Sequence, residues 1–200
     1  MNELEISRKL SKPQLPGGDL QNILVRAGWR PIGAGAEAGV AEHPSRNYVL
    51  KIFPTNSLYS EFLQVVDQAP KNPHFPRLNR QSRRIPGTSY SYVRMEKLQP
   101  IRSFDMATHF PELNCLVIQL YKKLGTDKMP GVWGWAYNNA SWDPLTDLIN
   151  CNKITIAPAA QQAFDLLTAK ASQLGRRRLD LAVNNFMARG NTWVITDPFI

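Results

Sequence analysis

The sequence predicts an α+β fold in which a small antiparallel sheet carrying one helix is followed by a reduced helical region. The first half of the chain contains short runs of alternating apolar and polar residues, bounded by glycine and proline, as antiparallel strands are. From Ile101 onward, apolar residues recur mostly at helical spacing. Near the end, the segment from Phe186 to Asp197 is typical of a hairpin that turns at Arg189-Gly190-Asn191.

Length and composition indicate one domain, or one domain with two lobes, in a chain of 200 residues. A hydrophobic content of 43% allows a proper core and excludes a disordered chain. The net charge of +8 favours acidic partners such as nucleotides, phosphates, nucleic acid or an acidic protein. Plain solubility explains the same charge equally well.

The cysteines and the N-terminus bear on location. Cys115 and Cys151 form no CxxC pair, so zinc is not expected and a reducing cytosol fits best. The first residues have neither a basic nor an apolar signal region, and no run approaches the roughly 20 apolar residues of a membrane span. We therefore expect a soluble cytoplasmic protein without a membrane partner.

The first elements follow from turn residues and periodicity. After a loose leader, Leu20 to Ala27 is a short helix that Gly28 ends. Two strands with a glycine-rich turn span Trp29 to Glu42, and Tyr48 to Phe53 is a further strand. Ser57 is a candidate N-cap for the helix that follows.

Lys51 lies in the middle of the apolar strand from Tyr48 to Phe53, where an unpaired ammonium is costly to bury. We expect it to point into a cleft and meet an anion. The preceding turn, Gly33-x-Gly35, suits phosphate because glycine lets backbone N–H groups approach closely. A glycine-rich hairpin beside a surface lysine is the alternative.

Several later segments have two interpretations each. Glu61 is either a partner for the lysine or an exposed helix acid. The basic run from Arg77 to Ile85 is a docking face or a solvated one, with solvation favoured. The aromatic stretch 131–142 could stack nucleic-acid bases, but it has no basic residues, so a packed loop is preferred. Nucleic acid is therefore a possible partner that is not favoured. Pro111 and Pro158 each begin a helix.

The last third carries the strongest signal. Asp180, Asn185 and Asp197 should gather at one end of the predicted hairpin. Two carboxylates and an amide suit an oxygen-ligated divalent cation, above all Mg²⁺ holding a phosphate chain. The order along the chain is a glycine-rich turn, a strand lysine, Asp-x-x-x-x-Asn and a final aspartate.

In that order these parts resemble the two-lobed protein-kinase-like fold over roughly residues 28–198. The Asn-Phe-Met and Ile-Thr-Asp-Pro segments are most similar to the short early protein kinases of tailed bacteriophages. The resemblance implies an N-terminal arm (1–27), an antiparallel-sheet N-lobe with one helix (28–98) and a truncated helical C-lobe (99–200).

The resemblance also implies a role for each site residue. Asp180 would act as the base, Lys51 would bind the ATP phosphates and Glu61 would hold that lysine. Asn185 and Asp197 would hold Mg²⁺. The remaining nucleotide-binding residues cover the phosphates or line the adenine pocket and hinge: Gly33, Gly35, Val40, Met95, Glu96 and Leu98.

Departures from the family pattern leave the activity open. Leu179 and Ala182 replace the usual arginine and lysine around the catalytic aspartate, and Pro198 replaces a phenylalanine. With Ile200 as the last residue, neither an activation loop nor a peptide platform is expected. We expect an ATP- and Mg²⁺-dependent serine/threonine kinase acting on a bacterial host protein. The alternatives are a kinase-like binder that inhibits a host factor and a small-molecule phosphotransferase.

Overall fold

Five antiparallel strands form the main sheet of the protein, in the order β1-β2-β3-β5-β4. The computed structural model describes residues 22, 24–34, 38–79, 81–101, 109–116, 154–175 and 185–199. The strands are β1 (Arg30–Ala34), β2 (Gly39–Glu42), β3 (Tyr48–Pro54), β4 (Arg83–Arg84) and β5 (Tyr90–Glu96). The prediction of an α+β fold with an antiparallel sheet is confirmed, and β3 is its middle strand.

One face of this sheet packs on the residues that precede it. Leu50 and Ile52 alternate along β3 and belong to a buried cluster with Trp29, Leu24 and Ile85. Residues 24–26 are helical, and Gly28 ends that helix with a φ of 83°, a conformation that glycine adopts without strain. The opposite face of β3 carries Lys51 with Val49 and Phe53 as neighbours.

Helix α1 (Leu58–Gln68) follows β3 after a short turn. Its apolar residues at helical spacing are buried, with Phe62 and Val65 fully so. The Ser57 Oγ has no hydrogen-bond partner in the described part of the chain, so Ser57 caps only through its backbone carbonyl, which accepts from Ser60 N at 3.0 Å. The Ser60 hydroxyl instead donates to the Thr55 carbonyl at 3.0 Å.

A second, three-stranded sheet lies later in the chain, in the order β6-β7-β8. Its strands are β6 (Gln99–Pro100), β7 (Phe186–Arg189) and β8 (Thr192–Ile195). Helix α2 (Pro158–Gln173) begins with proline in its first turn and is followed by Gly175 at a φ of 64°. Residues 111–116 are also helical, and Leu113, Cys115 and Leu116 are buried among them.

The chain divides into two compact units. The first contains the described residues up to Ser60 together with Arg77–Lys97, and the second contains Glu61–Pro76 together with the described residues from Leu98 onward. Within the second unit, Phe62 packs on Phe199 with ring centroids 6.5 Å apart. No helix in the described ranges has both the length and the apolarity needed to cross a membrane.

Candidate functional site

Lys51 occupies the centre of the five-stranded sheet and is only 5% exposed. Directly opposite residues of antiparallel strands share a face, and Lys51 is opposite Val40 on β2 and Val93 on β5. Val49, two residues before Lys51, is opposite Met95. Three of the residues predicted to bind the nucleotide, Val40, Lys51 and Met95, therefore lie on one face of the sheet.

The ring of Tyr59 lies against the Lys51 ammonium. The Lys51 Nζ is 4.1 Å from the ring centroid, and Tyr59 is 3% exposed. Phe53 packs on the same ring, with centroids 4.8 Å apart at an angle of 54°. A cation over an aromatic face is attracted by the ring quadrupole, more strongly when water is excluded. Tyr59 was not among the residues predicted from the sequence; an aromatic residue in the helix turn after the lysine strand was the available signal.

The glycine-rich turn is described only in part. Gly33 lies in β1 opposite Val40, just after the register shifts between Pro31 and Gly33. A Cβ built on Gly33 would meet no atom within 4 Å, so that side of the strand is open. Gly35 lies outside the described residues.

Glu61 contacts a lysine from another element. Its carboxylate oxygen is 2.6 Å from the Nζ of Lys170 in α2. The same Nζ donates to the Gln64 side-chain oxygen at 2.9 Å. The Lys170 side chain is 13% exposed, so this ion pair is better shielded from solvent than most surface pairs.

The end of β5 carries the predicted hinge residues. Met95 is buried, whereas Glu96 and Leu98 are half-buried. The Glu96 backbone N–H donates to the Arg77 carbonyl at 3.1 Å, and the Glu96 carboxylate accepts from the Arg77 N–H at 2.6 Å. The amide and the carboxylate of Glu96 are therefore both paired with the backbone of Arg77.

Asn185 and Asp197 lie at the same end of the β7–β8 hairpin. Phe186 is opposite Ile195 in the ladder, and just beyond it the Asn185 carbonyl accepts from both the backbone N–H and the hydroxyl of Thr196, at 2.8 and 3.0 Å. Asn185 is buried and Asp197 half-buried. Asp180 lies outside the described residues, as do Leu179 and Ala182. Among the described residues, no group of three His, Cys, Asp or Glu side chains could hold a metal ion.

The chain was compared with family models, curated proteins and solved structures. No family model matches the chain, and neither does any curated protein. One solved structure that matches is described as the streptomycin–ATP–APH(2″)-IIa ternary complex. It shares 13% identity, covers 93% of this chain and 71% of its own, and has a TM-score of 0.34. A likeness this low carries no argument about the function of this chain.

The segment around His74 is buried and makes contacts with residues that are distant in sequence. The His74 ring stacks on Trp193 with centroids 3.7 Å apart, and its Nδ1 lies 3.1 Å from the Trp193 carbonyl. Burial lowers the pKa of His74, while the hydrogen bond to the Trp193 carbonyl acts in the opposite direction. A histidine followed by phenylalanine between two prolines was the signal that could have indicated a packed loop.

Proposed function

We propose that this protein is a kinase-like phosphotransferase that transfers the γ-phosphate of ATP, with Mg²⁺, to a serine or threonine hydroxyl of a bacterial host protein. The observation that carries the proposal is the buried ammonium of Lys51, which shares its sheet face with Val40 and Met95. Apolar side chains on both adjoining strands suit the adenine ring of a nucleotide, which would lie beside a lysine that binds its phosphates.

The hairpin supports the second half of the proposal. Mg²⁺ prefers oxygen ligands, and the Asn185 amide and the Asp197 carboxylate flank the Thr196 hydrogen bonds at one end of the ladder. Their proposed role is to hold Mg²⁺, which neutralises charge on the phosphoryl oxygens. Asp180 is proposed to take the proton of the acceptor hydroxyl, and Gly33 and Gly35 to cover the phosphates.

The exposed arginines on the sheet edge favour one rival function. Arg83 and Arg84 form the edge strand β4, and both are exposed. A basic edge of this kind suits an acidic region of a host protein. In the rival function, the protein inhibits that partner by binding and transfers no phosphate.

Paramagnetic relaxation tests whether one nucleotide occupies both halves of the proposed site. Mn²⁺·ATP added to isotopically labelled protein should broaden resonances of Lys51, Asn185 and Asp197 together. The Asp197→Asn variant should lose this broadening, whereas Asp67→Asn, an exposed acid on α1, should keep it. Broadening of the hairpin resonances alone would contradict a shared site.

Catalysis needs its own test. Proteins of host cells expressing the wild type should take up label from [γ-³²P]ATP, and the Asp180→Ala variant should abolish the labelling while retaining nucleotide binding. If the variant labels the same proteins equally, the role of Asp180 as base is wrong. The result that supports the inhibitor function is different: neither protein transfers label, but both bind a host protein. The double variant Arg83→Glu, Arg84→Glu should then remove that binding.

A further inference from the structure

One face of the five-stranded sheet carries tyrosines and arginines side by side. Alternate residues of a strand share a face, and so do directly opposite residues of paired strands. By this pairing the face lies on the other side of the sheet from Lys51, and β3, β4 and β5 each contribute to it. Every member is at least partly exposed. The tyrosine–arginine surface, as we name it, consists of Tyr48, Arg83, Tyr90, Tyr92 and Arg94.

The tyrosine rings of this surface are held in place by the core. Tyr48, Tyr90 and Tyr92 pack against the buried cluster on their side of the sheet, and all three remain half-buried. Tyr48 also contacts Trp29, with ring centroids 6.0 Å apart. Part of each ring is thus fixed by packing while another part meets solvent. A ring that is already ordered loses little conformational entropy when a second flat group stacks on it.

The arginines alternate with these rings. Arg83 is directly opposite Tyr92 in the ladder, and Arg94 follows Tyr92 by two residues on the same strand. The Arg94 guanidinium lies over the Tyr48 ring, 5.2 Å from its centroid. A guanidinium stacked on an aromatic ring keeps its positive charge and its hydrogen-bond donors. A polyanion whose units carry flat rings would therefore meet both kinds of group on this face.

The surroundings of the surface are strongly basic. Among the described residues of the first unit, the acidic side chains are Glu42 and Glu96, and both are paired: Glu42 with Arg30 and Lys97, and Glu96 with the Arg77 backbone N–H. Glu96 is on the same face, opposite Tyr48. The basic side chains there are Arg26, Arg30, Arg46, Lys51, Arg77, Arg83, Arg84, Arg94 and Lys97. Such an excess attracts polyanions and is typical of nucleic-acid-binding domains.

We propose that the tyrosine–arginine surface binds single-stranded nucleic acid, with bases stacked on the tyrosine rings and backbone phosphates bound by Arg83 and Arg94. Stacking on aromatic side chains tolerates any base, and neighbouring cations follow the backbone. An acidic protein segment would use the arginines but has no flat rings to stack on the tyrosines, so the rings favour nucleic acid. The surface lies on the other face of the sheet from Lys51, so the proposal is independent of the proposed function.

The first test measures which polyanion binds to the full chain. By fluorescence anisotropy, labelled oligo-dT or oligo-U of about 15 nucleotides should bind roughly tenfold more tightly than a duplex of the same length. Binding of either supports the proposal, and the tighter one distinguishes DNA from RNA. No binding at low salt, equal affinity for the duplex, or equal competition by a poly-glutamate peptide would overturn it. Displacement by ATP·Mg²⁺ would also overturn it, because it would assign the binding to the Lys51 face.

The second test separates stacking from charge. Tyr92→Leu keeps an apolar group on the core cluster and should weaken binding roughly tenfold without changing the slope of log Kd against log salt. Tyr92→Phe should bind like the wild type. Arg83→Gln should lower the slope by about 0.7, the value for one lost phosphate contact on a single strand. Arg30→Gln, which removes the same charge from the Lys51 face, should leave the slope unchanged.

Two results of the second test would overturn the proposal. One is wild-type affinity in Tyr92→Leu that thermal melting shows to be folded, because the rings would then contribute nothing. The other is an equal change of slope in Arg30→Gln and Arg83→Gln, because net charge alone, and no particular face of the sheet, would then account for the binding.

Discussion

At the scale of single residues, Asn72 makes more directed contacts than its position in a turn suggests. Its side-chain oxygen accepts from the His74 backbone N–H at 2.9 Å. Its amide nitrogen donates to the Ala159 carbonyl at 2.8 Å and to the Gln162 side chain at 3.0 Å. One amide side chain thus fixes the loop after α1 and joins it to the first turn of α2.

We expect Asn72→Ala to lower the free energy of unfolding by about 1–3 kcal/mol, since it leaves buried backbone groups without their partner. Urea titration followed by tryptophan fluorescence measures the change. Asn47→Ala, in an exposed turn before β3, is the control and should stay within about 0.5 kcal/mol of the wild type. A similar loss in both variants would show that the Asn72 contacts are not specific.

The burial of Lys51 could be predicted from the sequence, but its contact with the Tyr59 ring could not. A charged residue in the middle of an apolar strand conflicts with the local pattern, and its burial agrees with the expectation that it points inward. Which group meets the ammonium depends on the turn that leads from β3 into α1. No periodicity in the sequence reports that geometry, so Tyr59 was overlooked and Glu61 was chosen from the family resemblance.

At the scale of elements, the β7–β8 hairpin is stabilised by the glycine in its turn and by hydrogen bonds from Arg189 at the end of β7. Gly190 has a φ of 57°, in the left-handed region that other residues avoid. The Arg189 guanidinium donates to the Pro73 and Phe75 carbonyls at 2.9 and 3.0 Å. The hairpin that carries Asn185 and Asp197 is therefore held at its turn and against the loop before β4.

Gly190→Ala should destabilise the protein by about 1 kcal/mol because alanine is strained at this φ. A Cβ there would meet no atom within 4 Å, so backbone strain is the sole expected cause. Gly39→Ala in β2 is a matched control, with open space for its Cβ and no positive φ, and it should be neutral or slightly stabilising. Thermal melting of the two variants side by side decides this, and an equal Tm for both would contradict the strain.

Most described elements could be predicted because their signals are local. The strand from Tyr48, the helix start at Pro158 and the hairpin turn at Gly190 follow from alternation, proline and glycine. The contact of Asn72 with Ala159 joins residues far apart in sequence and has no local signature. The packing of this loop therefore could not be predicted from the sequence.

At the scale of the whole molecule, stability should depend on the protonation of His74. Its pKa is lowered from 6.5, chiefly by burial, which disfavours the imidazolium in the fold. The unfolded chain therefore binds the proton more tightly than the folded one. The stabilising contribution is fully present above pH 6.5 and is lost as the pH falls through the folded pKa.

The slope of unfolding free energy against pH tests this prediction. Between pH 7.5 and 5.5, the wild type should lose stability by at most about 1.4 kcal/mol per pH unit from this group. His74→Gln should flatten the slope even though it lowers the overall stability. Asn47→Ala, at an exposed position without a titrating side chain, should keep the wild-type slope, and a matching flattening there would refute the assignment.

The second unit is discontinuous in sequence, and this matters while the chain is being made. Phe62 packs on Phe75, which is close along the chain, but also on Phe199, which the ribosome adds much later. At a synthesis rate of roughly 5–20 residues per second, Phe199 is added on the order of ten seconds after the apolar side of α1. During that interval the apolar side of α1 is exposed in the nascent chain. We therefore expect chaperones to bind, and proteases to cleave, the region after Ser60.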